Sequence, residues 1–189
     1  TPLEPVNPAN PEEGYKPPKI TDPKANIKIT YDKDDQKAKV KFVSVDDEGV
    51  ETPLDTKYNI DDLTGKSGDK IPEEKVQARV DVLKSMGYDV VDNPFDQDPT
   101  FDTKKEIDQE FTIKVKPQVS TAKPVYVVEG DKPSSEKLKD AVTTKGNEKT
   151  VDETKLPDTT DKVGDDTLTA PVTVTYGSGD NKREETVNV

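Results

Sequence analysis

Apolar positions recur with a period of two across residues 26–116, interrupted by one stretch with a period near four. Ile27, Ile29 and Tyr31 fall on one face and Asn26, Lys28 and Thr30 on the other, which predicts a half-buried strand. Asp32-Lys33-Asp34-Asp35-Gln36 forms a polar break, after which Ala38, Val40 and Phe42 alternate again. At Phe42-Val43 the parity slips and Val43 and Val45 continue it out of phase, as a bulge would produce. Asp46-Asp47-Glu48-Gly49 reads as a turn. Residues 72–86 then change period: Val76, Val80 and Leu83, joined by Met86, make one helical stripe. Pro72 suits a first turn, Glu73 and Glu74 suit the positive end, and Gly87 suits the C-terminal cap. Tyr88-Asp89-Val90-Val91 predicts a strand, Phe111, Ile113 and Val115 another, and Pro117 closes the unit. Two strands, a helix and two strands predict a mixed sheet with one helix laid across it.

Residues 117–189 are patterned differently. A strand is expected at 125–129 and a short helix at 133–142, with Leu138, Ala141 and Val142 facing inward. The clearest strand signal is a hairpin: 172–176, a turn at Gly177-Ser178-Gly179-Asp180, and 185–189. Residues 1–25 hold seven of the sixteen prolines, and Pro2, Pro5, Pro8 and Pro11 recur every third residue. That is the period of polyproline II and predicts a stiff, extended spacer. The expected organisation is therefore a proline-rich linker over 1–25, an α+β domain over 26–116 and a mostly β domain over 117–189.

Composition narrows the chemistry. The 189 residues contain no His, Cys or Trp, which excludes Ser-His-Asp and Cys-His nucleophilic centres, His or Cys zinc sites and disulfides. A catalytic reading would need two buried carboxylates in a cleft, and the sequence points to no catalytic, cofactor-binding or metal-binding residue. A net charge of −12 opposes binding to phosphate backbones and anionic lipid. No run approaches the roughly 18 apolar residues of a membrane span. Thr1 is not a start methionine, so the chain reads as a piece of a longer protein whose anchor would lie outside it.

Three short motifs invite chemistry and each has a plainer reading. Gly65-Lys66-Ser67 lacks the earlier glycine of a phosphate-binding loop, because position 60 is Ile. Leu156-Pro157-Asp158-Thr159-Thr160 is similar to a sortase signal but ends in Thr and reads as a turn. Asp32-Lys33-Asp34-Asp35-Gln36 places Gln36 and Lys37 where a calcium loop wants an oxygen ligand and Gly. Asp46-Asp47-Glu48 and Asp96-Gln97-Asp98 are further acidic clusters, read as solvated turns with weak calcium binding as the alternative.

Leu63-Thr64-Gly65-Lys66-Ser67-Gly68-Asp69, then a helix, then Gly87-Tyr88-Asp89-Val90-Val91 resembles the mucin-binding (MucBP) domain of Gram-positive surface adhesins. Residues 36–43, Phe101-Asp102 and Gln109-Glu110-Phe111-Thr112 fit the same pattern. The resemblance implies a ubiquitin-like β-grasp fold. Residues 117–189 resemble the Rib repeat of streptococcal and lactobacillar surface proteins through residues 127–133, 172–176 and 187–189. The usual Tyr-Pro-Asp-Gly turn is here Tyr176-Gly177-Ser178-Gly179. That resemblance implies a small Ig-like β-sandwich used in tandem. Tyr88, Phe101 and Phe111 read as core residues, and no ligand-binding residue is carried over from either family.

Two functions follow as expectations. One is a non-catalytic, extracellular adhesin repeat that binds host mucin or another glycoprotein weakly and multivalently, in a cell-wall-anchored parent with neighbouring repeats. The other is a stalk that projects a different adhesive domain. Immunoglobulin binding is a third reading allowed by the resemblance alone. Nucleic acid and membrane insertion are not expected.

Overall fold

The computed structural model describes residues 3–17, 31–165 and 167–189. The chain divides into two compact units, Thr1–Asp32 and Lys33–Val189. In the first, the expected extended spacer is not found over residues 3–17. Pro5 and Tyr15 form an antiparallel bridge. Val6 N–H donates to Gly14 O and Lys16 N–H to Glu4 O, so the chain doubles back. Pro11–Glu13 is a single 3-10 turn with proline at its start, where the missing N–H costs nothing. The local polar groups explain the correction: Asn7 Oδ1 accepts from Ala9 N–H, and both Asn7 and Asn10 amides donate to Glu13. Pro2, Pro18, Pro23, Ile27 and Ile29 lie outside the described residues, while Tyr31 is exposed and outside any strand.

The second unit holds two hydrophobic cores. The first is built on a mixed five-stranded sheet: β1 (Asp35–Val45), β2 (Glu51–Pro53), β3 (Ile60–Lys66), β4 (Tyr88–Asp92) and β5 (Gln109–Pro117). β1 pairs parallel with β5, antiparallel with β3 along its first half and with β2 at its end; β4 is antiparallel to β5. Helix α1 (Glu74–Ser85) lies between β3 and β4 in the chain and buries Val76, Val80 and Leu83, with Met86 just beyond it. These meet Ala38, Val40, Phe42, Ile113 and Val115 in one core. Gly87, at φ 77°, supplies the left-handed residue that ends the helix.

Three expectations are corrected here. The polar break at 32–36 does not hold through Asp35 and Gln36, which already belong to β1 opposite Lys66 and Gly65. β2 and β3 were not expected at all. Nor does β1 slip at Phe42-Val43: its register with β5 runs unbroken from Ala38 to Ser44, and Phe42 and Val43 are both buried on opposite faces. The irregularities sit in its neighbours. Ala38 and Val40 face Leu63 and Ile60, so β3 carries an extra residue, and β4 gains one at Val91.

The second core gathers Leu138, Val142, Ala170, Val172, Val174, Tyr176 and Val187. Its elements are β6 (Thr121–Ala122), α2 (Ser135–Ala141), β7 (Val142–Thr143), β8 (Glu148–Val151), β9 (Pro171–Ser178) and β10 (Asn181–Asn188). β10, β9 and β8 form an antiparallel sheet, and β6 pairs with β7. The strand expected at 125–129 is absent. Pairing stops after Lys123, whose N–H reaches Ala141 O, because Pro124 has no N–H to continue a ladder. Tyr126 and Val128 are exposed as a result. The expected hairpin is present but longer, since Asn181 pairs with Ser178 across the two-residue loop Gly179-Asp180. Gly179 has the positive φ (58°) that a tight hairpin loop needs at its first position. The described residues are thus mostly β with two α-helices, an α+β architecture.

Candidate functional site

The motif glycines have structural work. A Cβ on Gly65 would lie 2.3 Å from Phe101 Cε2, so the bare backbone of β3 is what allows that buried ring to rest on it. Gly68 N–H donates to Phe101 O and Phe101 N–H to Asp69 O, stitching the 63–69 segment to the 99–101 segment. Gly65-Lys66-Ser67 is therefore a packing device. In the 156–160 segment, Thr159 is buried and its hydroxyl donates to Asp131 O, while Asp158 accepts from Thr160 N–H, a turn inside the fold. Phe101 is fully buried, and Tyr88 and Phe111 pack half-buried against the first core.

The acidic clusters are engaged locally. Asp46 accepts from Glu48 and Val50 N–H, Asp47 pairs with Lys116, Asp98 with Lys70, and Asp34 with Lys105. Among the described residues no group of three metal-ligating side chains converges.

The bulge in β3 has a consequence for surface chemistry. It sets Asp61 and Asp62 side by side on the exposed edge instead of turning one of them inward. Both line an open cleft of about 590 Å³, with Asn59 and Ile60 before them in the chain. The opposite wall is the outer stripe of α1, where Lys75, Ala78, Arg79 and Val82 recur at helical spacing. Asn181, at the tip of the β9–β10 hairpin, completes the lining from the second core. Lys75 Nζ sits 2.5 Å from Asp62 Oδ2, and this ammonium holds the Asp62 carboxyl below its ordinary range. Arg79 Nη1 donates to Lys57 O (2.6 Å), and Lys57 Nζ donates to Asp180 O (3.0 Å), a relay from helix to hairpin tip.

Sequence reasoning singled out none of these cleft residues. The spacing on α1 picked out only its inward stripe, Val76, Val80, Leu83 and Met86; the bulge and the arrival of Asn181 are tertiary events without a local signal.

A second assembly joins the two cores. The Arg183 guanidinium lies 4.1 Å from the Tyr176 ring and 5.3 Å from the Tyr88 ring. It donates to Met86 O (3.0 Å), Gly87 O (3.2 Å) and Gln118 O (2.9 Å). Gly87 must lack a side chain for this, because a Cβ there would meet Tyr176 Cδ1 at 2.4 Å. Two residues on, Glu185 accepts from Ser120 N–H and Oγ and from Tyr176 Oη. Burial pushes the Glu185 carboxyl up, but these hydrogen bonds and the Arg183 charge outweigh it and hold it below the usual range. β10 thereby grips residues 118–120, the segment between the cores.

Residues 36–117 match the family model described as "Mucin binding domain". The match runs from β1 to the end of β5 and so covers the whole first sheet, α1 and most of the cleft. No curated protein and no solved structure matches the chain. Among the described residues no helix is long and apolar enough to cross a membrane.

Proposed function

We propose that this chain is an extracellular adhesin segment that binds mucin glycoproteins without catalysis, through weak contacts multiplied by repetition in a cell-wall-anchored parent. The match of residues 36–117 to the mucin-binding family is the observation that carries this reading. The sheet order supports a ubiquitin-like β-grasp for that part, since parallel β1 and β5 at the centre flanked by antiparallel neighbours is the order such a fold uses. The three-stranded β10-β9-β8 sheet and its hairpin support a Rib-like module over 117–189, used in tandem with neighbouring repeats. An open cleft gives modest affinity per copy, and linked copies raise the effective concentration of the rest. Retention of the whole chain on immobilised mucin, compared with residues 26–116 and 117–189 separately, tests the assignment. Retention of the whole chain supports it, and loss of all retention overturns it.

The stalk is the second reading, favoured by the Arg183 and Glu185 contacts. A projecting segment must keep its modules from hinging, and Arg183 fills the joint with three backbone hydrogen bonds and two aromatic faces. The two readings are compatible, since a rigid joint also fixes Asn181 beside the cleft.

A further inference from the structure

The geometry points to the cleft between β3, α1 and the β9–β10 tip as a subsite for a neutral sugar ring, one that discriminates against anionic sugars. This rests on the mucin-binding reading and says which part of a glycan the protein holds. A sugar offers hydroxyls that both donate and accept, over a C–H face that is weakly apolar. The cleft answers with carboxylate acceptors at Asp61 and Asp62, amides of both kinds at Asn59 and Asn181, and an apolar strip at Ala78 and Val82.

The charge arrangement selects against sialic acid and sulfated sugars. The cleft holds two carboxylates and two cations, and both cations are already engaged: Lys75 with Asp62, and Arg79 with Lys57 O. An incoming carboxylate or sulfate would face the Asp61 and Asp62 carboxylates beside any hydrogen bond it made to Lys75 or Arg79. A neutral ring meets no such repulsion, because both carboxylates keep lone pairs for hydroxyl donors while Lys75 stays on Asp62. The subsite is also composite. Its third wall is Asn181, held in position by Lys57 on Asp180 O and by the Arg183 joint.

The test is amide chemical-shift mapping on the full chain, with galactose and N-acetylgalactosamine as neutral probes and N-acetylneuraminic acid and galactose 6-sulfate as anionic ones. The expected result is saturable shifts at 59–62, 75–82 and 181 with the neutral sugars at millimolar concentrations, and none with the anionic pair. Asn181→Ala should raise the Kd for the neutral sugar about three- to tenfold, the loss of roughly one hydrogen bond. An unchanged spectrum outside the cleft shows that this variant is folded. Silence with the neutral sugars up to tens of millimolar, or shifts with the anionic sugars alone, overturns the subsite. Mucin retention of the same chain separates the two ideas. Retention with a silent cleft overturns the subsite and leaves mucin binding standing; cleft shifts without retention uphold the subsite and overturn mucin binding.

Discussion

At Gly65 the effect of one methyl group can be read from the ring beside it. Its backbone is ordinary strand, so an alanine there is strained only by contact with Phe101, which is 2% exposed and has no room to withdraw. Gly65→Ala should lower stability by about 1–3 kcal/mol in urea unfolding, the usual cost of overpacking. Combined with Phe101→Leu it should cost less than alone, because the two changes share one contact. Glu185 offers a titration at the same scale. Its folded pKa lies below the ordinary value of about 4.3, so the carboxylate adds stability that is complete above that value. The contribution is lost as pH falls through the lower folded pKa. Glu185→Gln should therefore be less stable than the parent at pH 7, with the difference shrinking below pH about 4 in thermal melts. A constant difference across that range would show that the carboxylate carries no charge-dependent role.

Among the elements, those with a local pattern were legible. α1 announces itself by Val76, Val80 and Leu83 and by its terminal Pro72 and Gly87, and β9–β10 by alternation around glycines. β3 was hidden by its own bulge: Ile60 and Leu63 are three apart, where a regular strand puts its core residues two apart. Val125–Glu129 misled in the opposite way, since Val-rich sequence beside Pro124 has no ladder to join. The cleft shares the invisibility of β3, and the joint at Arg183 is hidden because it spans residues 86 to 185. That joint predicts coupling between elements. Arg183→Lys keeps the charge but loses the planar fork that serves three carbonyls at once. It should lower stability by about 2 kcal/mol and split the unfolding of residues 33–189 into two calorimetric transitions, one per core. A single transition in the variant, with calorimetric and van't Hoff enthalpies still equal, would show that the cores are coupled by other contacts.

For the whole molecule the governing quantity is charge. At −12 with a pI near 4.6, the protein would make the proposed contact with mucin, itself anionic, against long-range repulsion at pH 7. A neutral-sugar subsite would leave that repulsion uncompensated, so contact must come from short-range hydrogen bonds that salt barely screens. Two changes should then act alike. Lowering the pH toward 4.6 removes net charge, and raising salt at pH 7 shortens the Debye length from about 10 Å at 0.1 M to about 3 Å at 1 M. Each should increase retention on immobilised mucin. The ion pairs of Asp35, Asp47 and Asp62 should survive that change: their lysine partners hold these carboxyls below the ordinary carboxylate range, so the pairing persists above it and is lost only in stronger acid. Retention that falls with added salt would mean instead that local cations capture acidic groups, and the sialylated and sulfated parts of mucin would be the ligand.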